Sequence, residues 1–505
     1  MRQLIQTYRT GKLTLEEVPA PIIRPGGALV QNLYSAVSIG TERASINFAK
    51  TNIIGKARKR PDLVQQVIEK TRRDGIFSAY QAASNRLNKP MPLGYSSAGI
   101  VLELTDNIEN ISIGDLVSCA GEGYASHADI IYVPNNLIVK VPQSVSPKEA
   151  AFTSIGAIAL QGIRRAELTV GERVAVIGLG LIGLITIQIL KAYGFPVLGM
   201  DINSKQIETA KKLGIHEALL LDNKNPIPEV DSFKNGWADA VIITAATTST
   251  QPIELAGEMI RERGRVIAVG DISMDIPRRI YYKKEADIRI SRSTGPGRYD
   301  KNYEEFGIDY PIAYARWTEK RNMEEFLRLL SLKLININDL ITHTFDISDG
   351  QKAYNLVMNN PKDNQFVGVA LEYSNQPEKS LKDTIVFHKT NRSTDLSTLN
   401  IGVIGAGNHS QNIILPGIQR LKKTRVKAIC SATGVNLTNL SNKYGCDYIT
   451  TNYKEILDDD SIAAVIIATQ HSLHSSITIE ALQKNKHVLV EKPLAISIKE
   501  LQDIA

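Results

Sequence analysis

The chain has 505 residues, too many for one ordinary core, so two to four domains are expected. Hydrophobic residues make up 43% and charged residues 22%, a globular balance, and a formal charge of +6 over this length does not mark nucleic acid as a partner. Cys119, Cys430 and Cys446 are scattered and form neither a disulfide framework nor a zinc knuckle. There is no signal-type start, and no stretch approaches the roughly 20 apolar residues of a membrane span. A soluble, cytoplasmic protein without membrane or nucleic-acid partners is expected.

Residues 1–150 read as short strands and turns, among them Gly27–Leu33, Gly99–Leu104 and Asp129–Val133. Helical spacing begins near Lys148 and runs to Ile163. From Val174–Ile177 onward, short β-branched runs (Val197–Met200, Ala240–Thr244, Arg265–Gly270) alternate with amphipathic segments (Ser204–Leu213, Pro252–Arg263). Buried parallel strands covered by helices on both faces look like this. Residues 291–375 lose the alternation, with a helix predicted at Met323–Leu330 and a closing strand at Gln365–Tyr373. The polar stretch 374–398 reads as a linker, although Thr384–Phe387 could form a strand. A second alternating unit follows, with strands at Ile401–Ile404, Val426–Ile429, Ala464–Ala468 and His487–Val490.

Two glycine-rich turns carry the chemistry. The first, Gly178-Leu-Gly180-Leu181-Ile182-Gly183, lies between the strand at 174–177 and an apolar helix over Leu184–Tyr193. Gly178 permits the tight turn, Gly180 lets a pyrophosphate approach the backbone, and Gly183 lets helix and strand pack closely. The helix start then offers free N–H groups and partial positive charge to the phosphates. The next strand ends in Asp201, whose carboxylate can accept both ribose hydroxyls and would repel a 2′-phosphate, so NAD is favoured over NADP. A nucleotide-free turn with a surface aspartate is the blander alternative.

Residues 1–375 resemble the medium-chain dehydrogenase/reductase family, through Gly40-Thr41-Glu42, Pro92-Leu93-Gly94-Tyr95 with Gly99, Gly114-Asp115-Leu116-Val117 and the turn itself. The resemblance implies an α/β architecture: a GroES-like β-rich catalytic domain over 1–150, completed by 291–375, around a Rossmann domain over 151–290. Many members hold a catalytic zinc through a Cys in I-C-G-T-D, a His-Glu pair in G-H-E, and a later Cys or Glu. Here Ile39 stands in the first cysteine's place, Tyr95 replaces the histidine, and Thr153, Ser154 and Ile155 offer no later ligand. Cys119 and His127, with Glu42 or Glu122, match no common ligand spacing. A zinc-free member is expected.

By the same resemblance, Thr41 matches the hydroxyl that relays the substrate's proton. Tyr95 lies where the lost histidine faced the cleft, and a phenol there can donate to a carbonyl. A half-buried packing role for Tyr95 is the equal alternative. Arg298 and Arg316 are candidate substrate contacts, and Lys56, Arg58, Lys59 and Arg60 could attract a phosphorylated substrate. For each of these, an ordinary surface or packing role stands beside the functional one.

The second turn, Gly405-Ala-Gly407-Asn408-His409-Ser410, has serine for its third glycine, and its next strand ends in Cys430-Ser431 rather than in an acid. Ser431 and Thr433 could hydrogen-bond a ribose hydroxyl or tolerate a phosphate, which leaves NAD and NADP both open. Further along, Ala468–His474 and Glu491-Lys492-Pro493 follow apolar strands and so fall at carboxyl ends of a parallel sheet. Residues 399–505 resemble the N-terminal Rossmann domain of the glucose–fructose oxidoreductase and inositol dehydrogenase (Gfo/Idh/MocA) family, most specifically through Glu491-Lys492-Pro493. The resemblance implies that Lys492 lies beside nicotinamide and substrate, and that Pro493 shapes the turn, often through a cis bond. A solvent-exposed lysine is the alternative for Lys492, and a cap or packing role for His474.

Together the modules resemble bi-domain oxidoreductases associated with surface polysaccharide and sugar-nucleotide metabolism. Only twelve residues follow Pro493, where the second family adds an α/β domain, so a fragment or a shortened form is expected. The leading expectation is NAD(P)-dependent hydride transfer on an alcohol or carbonyl of a small molecule, such as a sugar or sugar nucleotide. A quinone or enone reductase and a non-catalytic dinucleotide-binding scaffold or sensor remain as alternatives. The family's frequent dimers and tetramers add homo-oligomerisation to the expectations.

Overall fold

The computed structural model describes residues 1–7, 10–38, 90–106, 108–215, 217–221, 237–359, 366–374, 383–387 and 398–505, with positions 40, 51, 55, 65, 68, 69, 71 and 72. Ile39, Thr41, Glu42 and the basic cluster Lys56, Arg58, Lys59 and Arg60 lie outside the described residues.

The N-terminal part is built from β1 (Arg2–Thr7), β2 (Leu13–Glu17), β3 (Gly27–Val37), β4 (Pro90–Pro92), β5 (Ser96–Leu104), β6 (Leu116–Ala120), β7 (Ile130–Pro134) and β8 (Ile138–Lys140). β1 pairs antiparallel with β2 and β4, while β3 is flanked over Ala28–Gln31 by β5 on one edge and β7 on the other, so its core-facing residues Ala28 and Val30 are fully buried. Gly99 permits the β3–β5 approach: a Cβ there would fall 2.0 Å from the Gln31 carbonyl oxygen. After the first α/β unit the chain returns to this sheet with β15 (Ile341–Asp346) and β16 (Gly368–Glu372), which pairs antiparallel with β3.

The first α/β unit holds β9 (Val174–Ile177), β10 (Val197–Asp201), β11 (Glu217–Leu220), β12 (Ala238–Ile243), β13 (Ile260–Ala268) and β14 (Asp287–Ile290). All neighbours are parallel, in the order β11-β10-β9-β12-β13-β14. Chain direction across the sheet therefore reverses between β9 and β12, and such a switch point opens a crevice at the carboxyl ends of the strands. Val174, Ala175 and Val176 are wholly buried, as a central strand with helices on both faces demands. The helix Thr153–Ala166 crosses the helix Glu319–Ser331 at Gly156, where a Cβ would fall 2.2 Å from the Phe326 ring. Phe326 is fully buried there, a contact worth about 2–3 kcal/mol.

One expected boundary is corrected. The helix expected over Pro252–Arg263 spans Gln251–Met259, and β13 begins at Ile260 rather than at Arg265. Arg263 takes a left-handed φ of 59°, and the β12–β13 register shifts between Ala238 and Ala240, so residues 260–264 form an irregular lead-in strand. Arg261 anchors it by binding the Asp239 carboxylate at 2.5 Å.

The second α/β unit comprises β18 (Leu399–Ile404), β19 (Thr424–Cys430), β20 (Tyr448–Thr450), β21 (Ala464–Ile467) and β22 (His487–Val490). Its switch point falls between β18 and β21. Within the expected linker, β17 (Thr384–Val386) adds antiparallel to the β20 edge, so part of that stretch belongs to the second sheet. Among the described residues, no helix is long and apolar enough to cross a membrane.

Candidate functional site

Both glycine-rich turns lie at the switch points, and they solve the same steric problem in parallel ways. Gly178 has φ +95° and Gly405 φ +103°, where a side chain would be strained. A Cβ on Gly178 would also fall 2.6 Å from the Ala245 amide nitrogen, and one on Gly405 2.3 Å from the Ala468 carbonyl oxygen. Each turn is thus pressed against the backbone just past the neighbouring strand. Thr244 fastens the first by donating its hydroxyl to the Gly178 carbonyl.

The middle glycines differ. A Cβ on Gly180 or on Gly407 would meet no protein atom within 4 Å. Neither has positive φ, so the protein's own packing gives no reason for glycine there, whereas a ligand approaching the backbone does. Gly180 caps the helix Leu181–Ala192, placing the Leu181 and Ile182 amides in its first turn, where N–H groups lack intrahelical acceptors. Asn408 and His409 hold the equivalent places in the second turn.

At the third position, a Cβ on Gly183 would fall 1.9 Å from the Gly178 carbonyl oxygen, so only glycine fits. In the second turn the third position is Ser410, where the helix runs into a wider π-helical turn over Ser410–Ile414. Its hydroxyl donates to the Gly405 carbonyl at 2.5 Å.

Asp201 ends β10 beside the first turn, as the spacing anticipates. Its carboxylate accepts the Leu179 amide at 2.6 Å and the Asn203 amide at 2.8 Å. Burial raises its carboxyl above the ordinary range, and the amides of Leu179, Asn203 and Ile202 pull the other way. A carboxylate has about four lone-pair sites, so acceptor capacity remains for hydroxyls.

In the second unit, Ser431 follows β19 half-buried, its amide donating to the Thr450 carbonyl at 3.2 Å. Glu491 binds the His409 imidazole at 2.8 Å, which lowers its carboxyl and ties the Glu491-Lys492-Pro493 segment to the glycine turn. The Lys492–Pro493 bond is cis, and Lys492 is exposed. His474, 1% exposed, is set between the Pro493 carbonyl at 2.7 Å and the Thr469 carbonyl at 3.2 Å. It holds this turn from beneath.

Tyr95 follows the β4 segment, half-buried, and its phenol donates to the Ser38 hydroxyl at 2.6 Å. Ser96 ties the same stretch to the helix below, donating to the Ala151 carbonyl at 2.6 Å and accepting the Ser154 amide at 3.2 Å. Thr41 lies outside the described residues. Sequence reading missed Ser38, Thr244 and Ala245. The latter two directly follow a strand at the switch point, and that position could have flagged them.

The suggested zinc donors among the described residues serve other ends. Burial raises the Cys119 thiol, and Cys119 belongs to an apolar cluster with Val101, Val117 and Val133. His127, fully buried, shares a 2.7 Å hydrogen bond with Ser35 and lies edge-on to Tyr354. Glu122 faces Arg298 at 3.6 Å. These side chains do not converge, and among the described residues no group of three His, Cys, Asp or Glu is placed to ligate a metal. The candidate arginines are also engaged: Arg298 pairs with Glu304 at 2.7 Å, and Arg316 lies over the Trp317 ring, which Arg164 also stacks against.

Fold and turns together define a two-unit dinucleotide-binding α/β protein. Residues 182–307 match the zinc-binding dehydrogenase family, and residues 399–505 match an oxidoreductase family with an NAD-binding Rossmann fold. The chain therefore joins a medium-chain-dehydrogenase module to a Gfo/Idh/MocA-family module, both of oxidoreductase families. An alcohol dehydrogenase of Geobacillus stearothermophilus is 24% identical over 216 residues, 37% of this chain and 63% of that protein. A sorbitol dehydrogenase of Halalkalibacterium halodurans is 24% identical over 305 residues, 53% of this chain and 80% of that protein. In fold, the crystal structure of galactitol-1-phosphate dehydrogenase from Escherichia coli is similar over 74% of this chain and all of that one, with a TM-score of 0.54 at 16% identity.

Proposed function

We propose that the protein is an NAD(P)-dependent oxidoreductase whose first module transfers hydride between a nicotinamide and an alcohol or carbonyl without zinc. The observation that carries this reading is the contrast within one turn. Gly178 and Gly183 are required by packing, while Gly180 faces open space beside a helix start and an acid-terminated strand. The amides of Leu181 and Ile182 would receive the pyrophosphate and Asp201 the ribose hydroxyls, which favours NAD at this site. The dinucleotide, when bound, supplies the hydride acceptor or donor.

The protein's own part is to orient the substrate and to manage its proton. Tyr95, backed by Ser38, presents a hydroxyl pair that can donate to a substrate oxygen and pass a proton onward. Thr41 is proposed as a second hydroxyl in the relay, from the family motif alone. The scattered places of Cys119, His127 and Glu122 support a zinc-free site. Domain limits of 1–150 with 291–375, 151–290 and 399–505 are proposed on the same footing.

Sorbitol and galactitol-1-phosphate, named for two relatives, point to polyols and sugar derivatives as the substrate class, and polysaccharide precursors are a sub-class of these. The second module is proposed to bind NAD or NADP at Gly405, Gly407, Asn408, His409 and Ser431, with Lys492 and the Glu491 and Pro493 turn at the nicotinamide end. The test is turnover of a polyol and aldose panel with NAD and NADP, before and after chelator treatment. Chelator-resistant reduction of NAD that Tyr95→Phe abolishes supports the proposal; tight NADH binding without turnover favours a scaffold or sensor.

A further inference from the structure

The two modules meet where the second nucleotide turn has its ribose side. β19 lies next to β18, and the chain leaving it, Ser431 to Gly434, borders the turn at Gly405–Ser410. Ser431 is tied through its amide to the Thr450 carbonyl. The next residue, Thr451, is 1% exposed, and its hydroxyl donates to the Ala20 carbonyl at 2.5 Å. Gly434 lies against the same segment of the first module: a Cβ there would fall 2.4 Å from the Pro19 carbonyl oxygen. Val18 and Ala20 are 0% and 2% exposed, so residues 18–20 are closed in from every side. One short stretch of the first module thus touches the loop that would receive the second nucleotide's ribose at Gly434 and, through Thr451, the strand end that holds its start at Ser431.

Two chemical features make this contact specific. A backbone carbonyl at Pro19 fits against Gly434 only in the absence of a side chain, and no flexible group is there to yield. The Thr451 hydroxyl satisfies a buried carbonyl that would otherwise lose a hydrogen bond on docking, an unfavourable outcome.

We propose that Pro19 and Ala20 are positioning residues of the second dinucleotide site. They hold Ser431–Gly434 in the form that accepts the ribose of NAD or NADP, so nucleotide binding there and docking of the two modules stabilise one another. The inference rests on the reading of Gly405–Ser410 as a dinucleotide site. Linkage is reciprocal: what the docked loop adds to nucleotide affinity, the nucleotide returns to the interface.

The experiment uses the full chain carrying Gly180→Val, which puts a side chain into the first turn where a Cβ meets no protein atom within 4 Å. NADH and NADPH are titrated by calorimetry, and backbone hydrogen exchange is followed over residues 13–24. Saturation is expected to slow exchange in that segment, although it lies in the other module. Thr451→Val and Gly434→Ala are each expected to weaken binding by about five-fold or more, and Thr451→Ser to restore it. Unaltered affinity in Thr451→Val and Gly434→Ala, or exchange at 13–24 indifferent to nucleotide, overturns the proposal while leaving the second site in place. Absence of any binding in the Gly180→Val chain overturns the two-site reading itself, and the proposal with it.

Discussion

The carboxylate of Asp201 accepts the amide of Leu179 at 2.6 Å, so the acid ending β10 is fastened to the middle of the first glycine turn. The residue that would choose the cofactor is thereby built into the loop that would bind its phosphates. Asp201→Asn keeps the shape and removes the charge. It is expected to weaken NADH binding at the first site about 10- to 100-fold, and to narrow the preference over NADPH, as measured by fluorescence titration of both nucleotides. Burial raises this carboxyl, so NADH affinity should fall on acidification sooner than an ordinary carboxylate would dictate. The Asn variant should lack that component.

Gly180 and Gly183 separate binding from folding. A Cβ at position 180 meets no protein atom within 4 Å, so the melting temperature of Gly180→Val should stay near the parent's while NADH binding at that turn is lost. Gly183→Ala drives a methyl into the Gly178 carbonyl and should cost about 3 kcal/mol, visible as a lower melting temperature without any ligand. Equal effects of the two on stability would contradict the assignment.

Tyr95→Phe removes the phenol that donates to Ser38 but keeps the ring. If Tyr95 handles the substrate's proton, kcat should fall by about 10²- to 10⁴-fold with NADH affinity unchanged. A variant with parent kcat would leave Tyr95 a packing residue.

Glu319 is 1% exposed, and its carboxyl is raised to about 7 by burial, against the pull of the Thr294 hydroxyl at 2.7 Å. Its folded pKa lies above its unfolded one near 4.5, so its contribution to stability is complete below 4.5 and is lost as pH rises through about 7. Glu319→Gln should therefore melt above the parent at about pH 8, by no more than about 3 kcal/mol of stability, with the gain gone below pH 4.5. Thermal melts across that range check it.

Much of this was legible in the sequence because glycine spacing and strand periodicity are local. The turn at 178–183, Asp201 and the strands at 174–177 and 401–404 follow from residues a few positions apart. What escaped depended on distance in the chain. Ser38 meets Tyr95 from 57 residues away, and Thr451 reaches Ala20 across 431. Periodicity could not show that β13 starts at Ile260, because a left-handed Arg263 and a register shift interrupt the pattern. Nor could spacing tell that Cys119 is sealed in an apolar cluster and that His127 is bonded to Ser35 in the core.

Calorimetric titration of the full chain with NADH tests the central claim most directly. Two binding events are expected, one removed by Gly180→Val and the other by Gly407→Val, with both variants folded. A chain that takes up neither NADH nor NADPH, or whose binding survives both substitutions together, would contradict the account.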